Sequence, residues 1–145
     1  MKGLIILVGF ALLFACPAFA GEHAALARVT VYWPDKSSGA NAAWNGKRLR
    51  EGHCAVDSKK IPYGSKVVFQ GGECVAVDTG PDVVNRKASR ASGRSAAERN
   101  AIVIDRFFQT KKKALAWAEA NPFFMVVQVR TPDAEEPGLE PRDWL

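Results

Sequence analysis

Cys54-Ala-Val-Asp-Ser-Lys-Lys-Ile-Pro-Tyr-Gly-Ser-Lys-Val-Val-Phe69 runs an apolar, strand-like segment into an aspartate, then into turn residues, and then into a second strand. Pro62 fixes one dihedral of the turn and Gly64 is free to take positive φ. The first half of the pattern returns at Val75-Ala-Val-Asp-Thr-Gly80 and again at Ala101-Ile-Val-Ile-Asp105. β-branched residues favour extended backbone, and Asp favours the point where a strand gives way to a turn. Three such strands can bring three carboxylates together at one rim of a closed sheet.

Outward from this core the elements follow from period and punctuation. Arg28 to Trp33 places Val29, Val31 and Trp33 on one face and Thr30 and Tyr32 on the other, the period-two signature of a half-buried strand that Pro34 ends. Asp35 to Gly46 reads as a polar surface loop carrying Trp44, which either stacks on a sugar ring or folds back over the barrel end. Lys66–Phe69 and Glu73–Val77 pair as a hairpin across Gly71-Gly72. Pro81 to Asn100 is basic and rich in small residues, a long excursion with some helix. Its Arg86, Lys87, Arg90, Arg94 and Arg99 either line a groove or form a solvated flap. Thr110 caps a helix over Lys111–Asn121, with Ala114, Leu115, Ala118 and Trp117 as its packing stripe. Phe123–Val129 closes the sheet, and residues 131–145 form an acidic, proline-rich tail.

Taken in order, Ala55-Val-Asp57 with Ile61-Pro-Tyr-Gly-Ser65, then Val77-Asp78-Thr79-Gly80, then Ile104-Asp105-Arg-Phe107, resemble the motifs of the three-aspartate (3D) domain. This double-psi β-barrel module occurs in membrane-bound lytic transglycosylase A and in bacterial spore and resuscitation-related cell-wall enzymes. The resemblance runs from about Val29 to Val129. It implies a mainly β fold, a six-stranded double-psi β-barrel over residues 21–130 with one helix in its C-terminal half. It also implies an enzyme that cleaves peptidoglycan glycan strands and needs no cofactor. The family's catalytic acid falls on Asp105. Asp78 and Asp57 would tune its proton affinity or hold substrate, Thr79 and the Gly80 N–H would stabilise nearby negative charge, and Tyr63 would touch sugar. The Pro81–Asn100 excursion departs from the family's short glycine-rich link.

That chemistry suits the residues. A glycosidic bond breaks when the leaving oxygen is protonated while positive charge builds on the sugar ring. A lytic transglycosylase can manage with one carboxyl group, because the muramoyl sugar's own hydroxyl attacks the anomeric carbon. Such an acid must stay protonated well above the usual Asp value of about 3.9, and burial beside other carboxylates produces that shift. Read without the resemblance, Asp57 and Asp78 are turn-capping residues, and Asp105 is a salt-bridge partner for Arg106 or another base. A barrel of this type can also bind glycan without cleaving it, as in expansin-like proteins.

The N-terminus, Met1-Lys2 followed by an apolar run and Ala18-Phe-Ala20, reads as a secretory signal peptide over residues 1–20, with acylation at Cys16 as the rival reading. The expected destination is the periplasm or cell envelope. What remains of the 145 residues suffices for one domain with a core. In an oxidising compartment Cys54 and Cys74 suggest one disulfide, with two buried free thiols as the alternative. His53 and His23 are too few to suggest a metal site. Residues 21–130 hold 18 basic and 10 acidic residues, which favours an anionic polymer. Export makes that polymer cell-wall glycan with its peptide carboxylates rather than nucleic acid. No stable membrane span is expected, and a homodimer would supply the second groove wall that an extra domain provides in membrane-bound lytic transglycosylase A.

Overall fold

The computed structural model describes residues 21–34 and 41–132. The expected signal peptide over residues 1–20, with Cys16, residues 35–40 of the expected surface loop and residues 133–145 of the expected tail lie outside the described residues.

Six strands, β1 (Glu22–Tyr32), β2 (His53–Ala55), β3 (Lys66–Phe69), β4 (Gly72–Asp78), β5 (Ile102–Phe107) and β6 (Phe124–Arg130), close into a barrel in the order β1-β5-β2-β4-β3-β6. The β1/β5 and β2/β4 pairs are parallel and the other four are antiparallel. Replacing each of β1, β2 and β3 by β4, β5 and β6 returns the same ring of neighbours with the same pairing senses. Each half therefore lends its first strand to lie parallel with the second strand of the other, which is the double-psi arrangement. The first and last strands leave the barrel together: the Thr131 N–H and Oγ1 both donate to the Gly21 carbonyl, at 2.7 and 3.0 Å.

Alternation fixes what faces inward. Ala27 and Val29 of β1, Val67 and Phe69 of β3, Cys74 and Ala76 of β4, Ile104 of β5, and Met125, Val127 and Val129 of β6 fill the barrel with Cys54, Val56 and Ile61. Small and β-branched side chains suit a barrel this narrow, since six strands leave no lumen to line. Fully burying one of the Val or Ile side chains contributes roughly 1.5–3 kcal/mol.

Several sequence-based boundaries shift. β1 begins at Glu22 rather than Arg28, because β6 pairs with it antiparallel from Glu22↔Arg130 to Arg28↔Phe124. β5 continues past Ile104, so Asp105 sits within a strand instead of after one. The basic excursion is three short helices, α1 (Pro81–Val84), α2 (Lys87–Ser92) and α3 (Ala96–Asn100). A capping box starts α3, with the Glu98 N–H donating to Ser95 Oγ and the Ser95 N–H to Glu98 Oε2. α4 (Lys111–Ala120) starts at Thr110, whose Oγ1 accepts from the Lys113 N–H. Ala114 is buried and Trp117 packs against the barrel core, but Leu115 points outward, 43% exposed.

Cys54 and Cys74 are free thiols, not a disulfide. Both face the barrel interior. Cys54 lies opposite Ala76 across the parallel β2/β4 pair, so Cys74 is its diagonal neighbour. Strand spacing and rise put such Cα atoms about 8 Å apart, beyond the range of roughly 4.4–6.8 Å that a disulfide spans without backbone movement.

Candidate active site

The barrel wall has an outer face as well as an inner one, and the acids lie on the outer one. On β1 the residues between the core positions, Arg28, Thr30 and Tyr32, project outward, and on β5 so do Val103, Asp105 and Phe107. Parallel register sets Thr30 beside Asp105 and Tyr32 beside Phe107. The excursion helices roof this face: Val83 of α1 and Ala88 of α2 pack against Ala55, Val103 and Tyr32. Under the roof lies a cavity of about 370 Å³, bordered by Thr30, Asp82, Val83, Lys87, Val103 and Asp105.

The Thr30 hydroxyl donates to Asp105 Oδ1 at 2.9 Å. Loss of water beneath the helices raises the Asp105 pKa to about 6; the charges of Asp78 and Asp82 push the same way, and only the Thr30 hydrogen bond opposes them. Asp78 ends β4 and is gripped from two sides. The Tyr32 hydroxyl donates to its Oδ2 at 2.9 Å, and the Ala43 N–H donates to its Oδ1 at 3.0 Å. Burial, then the charge of Asp78 and that hydrogen bond, hold the Tyr32 phenol far above its ordinary range, so it remains a proton donor at any working pH. A carboxyl group with a raised proton affinity thus lies close enough to feel the charge of another that two donors hold as an acceptor.

Asp57 does not join them. Its Oδ1 accepts from the Lys59 N–H at 3.1 Å, and its carbonyl accepts from the N–H groups of Lys60 and Ile61, so the side chain closes its own turn. Only its backbone neighbour reaches the site, the Val56 N–H donating to the Asp78 carbonyl at 2.9 Å. Thr79 and Gly80 carry the chain from Asp78 directly into α1, whose N-cap is Gly80. Trp44 stacks on Tyr63, with ring centroids 6.2 Å apart and 26° between planes. The Trp44 N–H donates to the Val77 carbonyl, and its ring remains 39% exposed.

Arg86 lies away from the cavity. In a left-handed conformation, φ 53°, it sends NH1 to the Asn100 carbonyl at 3.0 Å, tying the start of α2 to the end of α3. Lys87, the next residue, borders the cavity instead, beside Asp82 at 3.4 Å. The ion pair between Asp105 and Arg106 does not form, because adjacent strand residues face opposite ways. Arg106 is ringed by Phe69, Trp117 and Phe108 at 4.7, 4.5 and 5.1 Å from the ring centroids. Thr30, Tyr32 and Asp82 are site residues without a signal in the motifs, whereas Lys87 is one of the basic residues expected either in a groove or on a flap, and it borders the cavity. The signal for the first two lies in the alternation of β1, which reserves its polar positions for the outer face.

Among the described residues no three His, Cys, Asp or Glu side chains gather closely enough to hold a metal ion, and no helix is long and apolar enough to cross a membrane. No protein-family model and no curated protein sequence matches this chain.

Proposed function

We propose that this chain is a 3D-type barrel exported to the cell envelope, where it cleaves the glycosidic bonds of peptidoglycan glycan strands by lytic transglycosylation. The observation that carries the reading is Asp105, a carboxyl group with a pKa of about 6 bordering an open cavity. About half of it is protonated at pH 6, so it can give its proton to the leaving oxygen and then take one from the muramoyl hydroxyl as that oxygen attacks. Burial keeps the proton on Asp105, with a smaller push from Asp78, which Tyr32 and Ala43 hold where it can stabilise the positive charge developing on the sugar. The basic body supports an acidic polymer as substrate. The helical excursion supplies a groove wall within one chain, so a homodimer is not needed for that purpose.

Asp105→Asn is expected to abolish release of anhydro-muropeptides from purified sacculi, read by mass spectrometry, while the far-ultraviolet spectrum of the fold is kept. Undiminished release would remove Asp105 from the role. With the wild type, the rate is expected to fall about tenfold per pH unit above about 6, as the acid form is titrated away. The second reading, a non-catalytic glycan-binding barrel, draws on the exposed Trp44–Tyr63 stack and on the apolar majority of the cavity's side chains. Sedimentation with sacculi without soluble product would select it.

A further inference from the structure

A second cavity, of about 280 Å³, lies across β1 from the Asp105 pocket, between that strand and α4. Thr30 and Val31 border both, so the two cavities meet at β1 as neighbouring halves of one groove. Its far half has an aromatic wall of Trp33, Trp117 and Phe123, with Leu115 beside them; Phe123 is 59% exposed and Leu115 43%. Flat apolar rings exposed along a groove suit the apolar face of a sugar ring. The same half carries cations. The Arg28 guanidinium lies 4.2 Å from the centre of the Phe123 ring, and Lys111 Nζ lies 5.8 Å from that of Trp33.

Arg28 is held in place rather than waving in solvent. Its Nε donates to Ser92 Oγ at 3.1 Å and its NH1 to the Val29 carbonyl at 2.6 Å. Among the described residues every salt bridge involves other cations, so this partly desolvated charge is held by neutral groups alone. A fixed guanidinium that has lost part of its water and has no carboxylate of the described residues within salt-bridge distance is suited to pair with an anion.

We infer that this α4–β1 half of the groove is a second saccharide subsite, which stacks a sugar on Phe123 and Trp33 and pairs a carboxylate carried by that saccharide with Arg28. The inference rests on the glycan reading and adds what that reading leaves open: which neighbouring surface holds the strand, and that acidic sugars are chosen over neutral ones.

The test uses the full chain with Asp105→Asn, so that binding is measured without turnover. Two probes of equal length are titrated by calorimetry, chitotetraose as the neutral one and a tetrasaccharide alternating N-acetylglucosamine with N-acetylmuramic acid as the acidic one. The acidic probe is expected to bind about tenfold tighter. Phe123→Ala should weaken both about tenfold, a typical loss for one stacking contact. Arg28→Gln should erase the preference, and Arg28→Lys should restore part of it; a thermal melt of each variant separates misfolding from lost contact. Equal affinities for the two probes, or binding untouched by Phe123→Ala, would overturn the subsite. If binding appears only after residues 133–145 are deleted, the groove's occupant is the chain's own acidic tail and the saccharide assignment fails. Cleavage of sacculi by the wild type with no effect of the groove variants sinks the subsite alone. Binding as expected with no cleavage sinks the catalytic reading alone.

Discussion

Asp105 shows how one side chain sets function against stability. Its carboxyl group holds a proton more tightly in the folded chain, at about 6, than the ordinary 3.8. Whatever it contributes to folding is fully present below pH about 4 and is lost as pH rises through about 6. The loss reaches roughly 3 kcal/mol, since each tenfold gain in proton affinity is worth about 1.4 kcal/mol. Asn carries no charge to desolvate and its side-chain oxygen can still accept from Thr30. Asp105→Asn is therefore expected to melt higher than the wild type at pH 8 and close to it at pH 4; an identical gap at both would deny the buried charge. The residue itself is legible in the sequence, because an acid directly after Ile102-Val-Ile104 with no turn residue behind it is out of place. Its partner is not. Thr30 is 75 residues away, and only the parallel register of β1 and β5 joins them. Asp57 misleads for the opposite reason: an acid at a strand end has a local use in its own turn, and here that use prevails.

At the scale of elements, the helical excursion is the part that makes a cavity out of a barrel wall. Its three helices are too short to be stable alone, and their packing turns on Gly93. A Cβ there would lie 2.6 Å from the Arg99 nitrogen and 2.8 Å from the Ser89 carbonyl, both backbone atoms that cannot swing aside. Gly93→Ala is expected to displace α3 from α2 at a cost of about 1–3 kcal/mol. Sacculus cleavage should fall by more than the melting temperature would suggest, since Val83 and Ala88 roof Asp105 from the same excursion. The presence of some helix here is readable from composition, but its shape is not, because hydrophobic periodicity needs more residues than these helices have. α4 is readable almost to its ends from Thr110 and the alanine spacing. Its outward Leu115 is not, since an apolar residue turned to solvent has no signature apart from the groove it borders.

For the whole molecule, the three repeated strand–Asp segments and the hairpin at Gly71 specify a closed β structure. The crossing order of the strands is not in the pattern, since alternation says which face is inward and not which strand is adjacent. Both thiols are sealed in the barrel, and burial pushes the Cys54 pKa well up. They are expected to resist a bulky disulfide reagent in the native state and to react together, at the rate of global opening. Rapid labelling of either one would mean that the barrel breathes at the β2/β4 seam.

The hydrogen bonds that fasten Thr131 to Gly21 bring the two ends of the domain within reach of a peptide link. The barrel is in this sense nearly a ring, and where the ring is cut is a matter of ancestry more than of architecture. A short glycine–serine bridge from 131 to 21, with new termini at Gly71, whose turn has nothing packed against its Cα, leaves every strand its neighbours. Such a rearranged gene would place the equivalent halves β4–β6 and β1–β3 in the reverse order along the chain and still encode the same barrel.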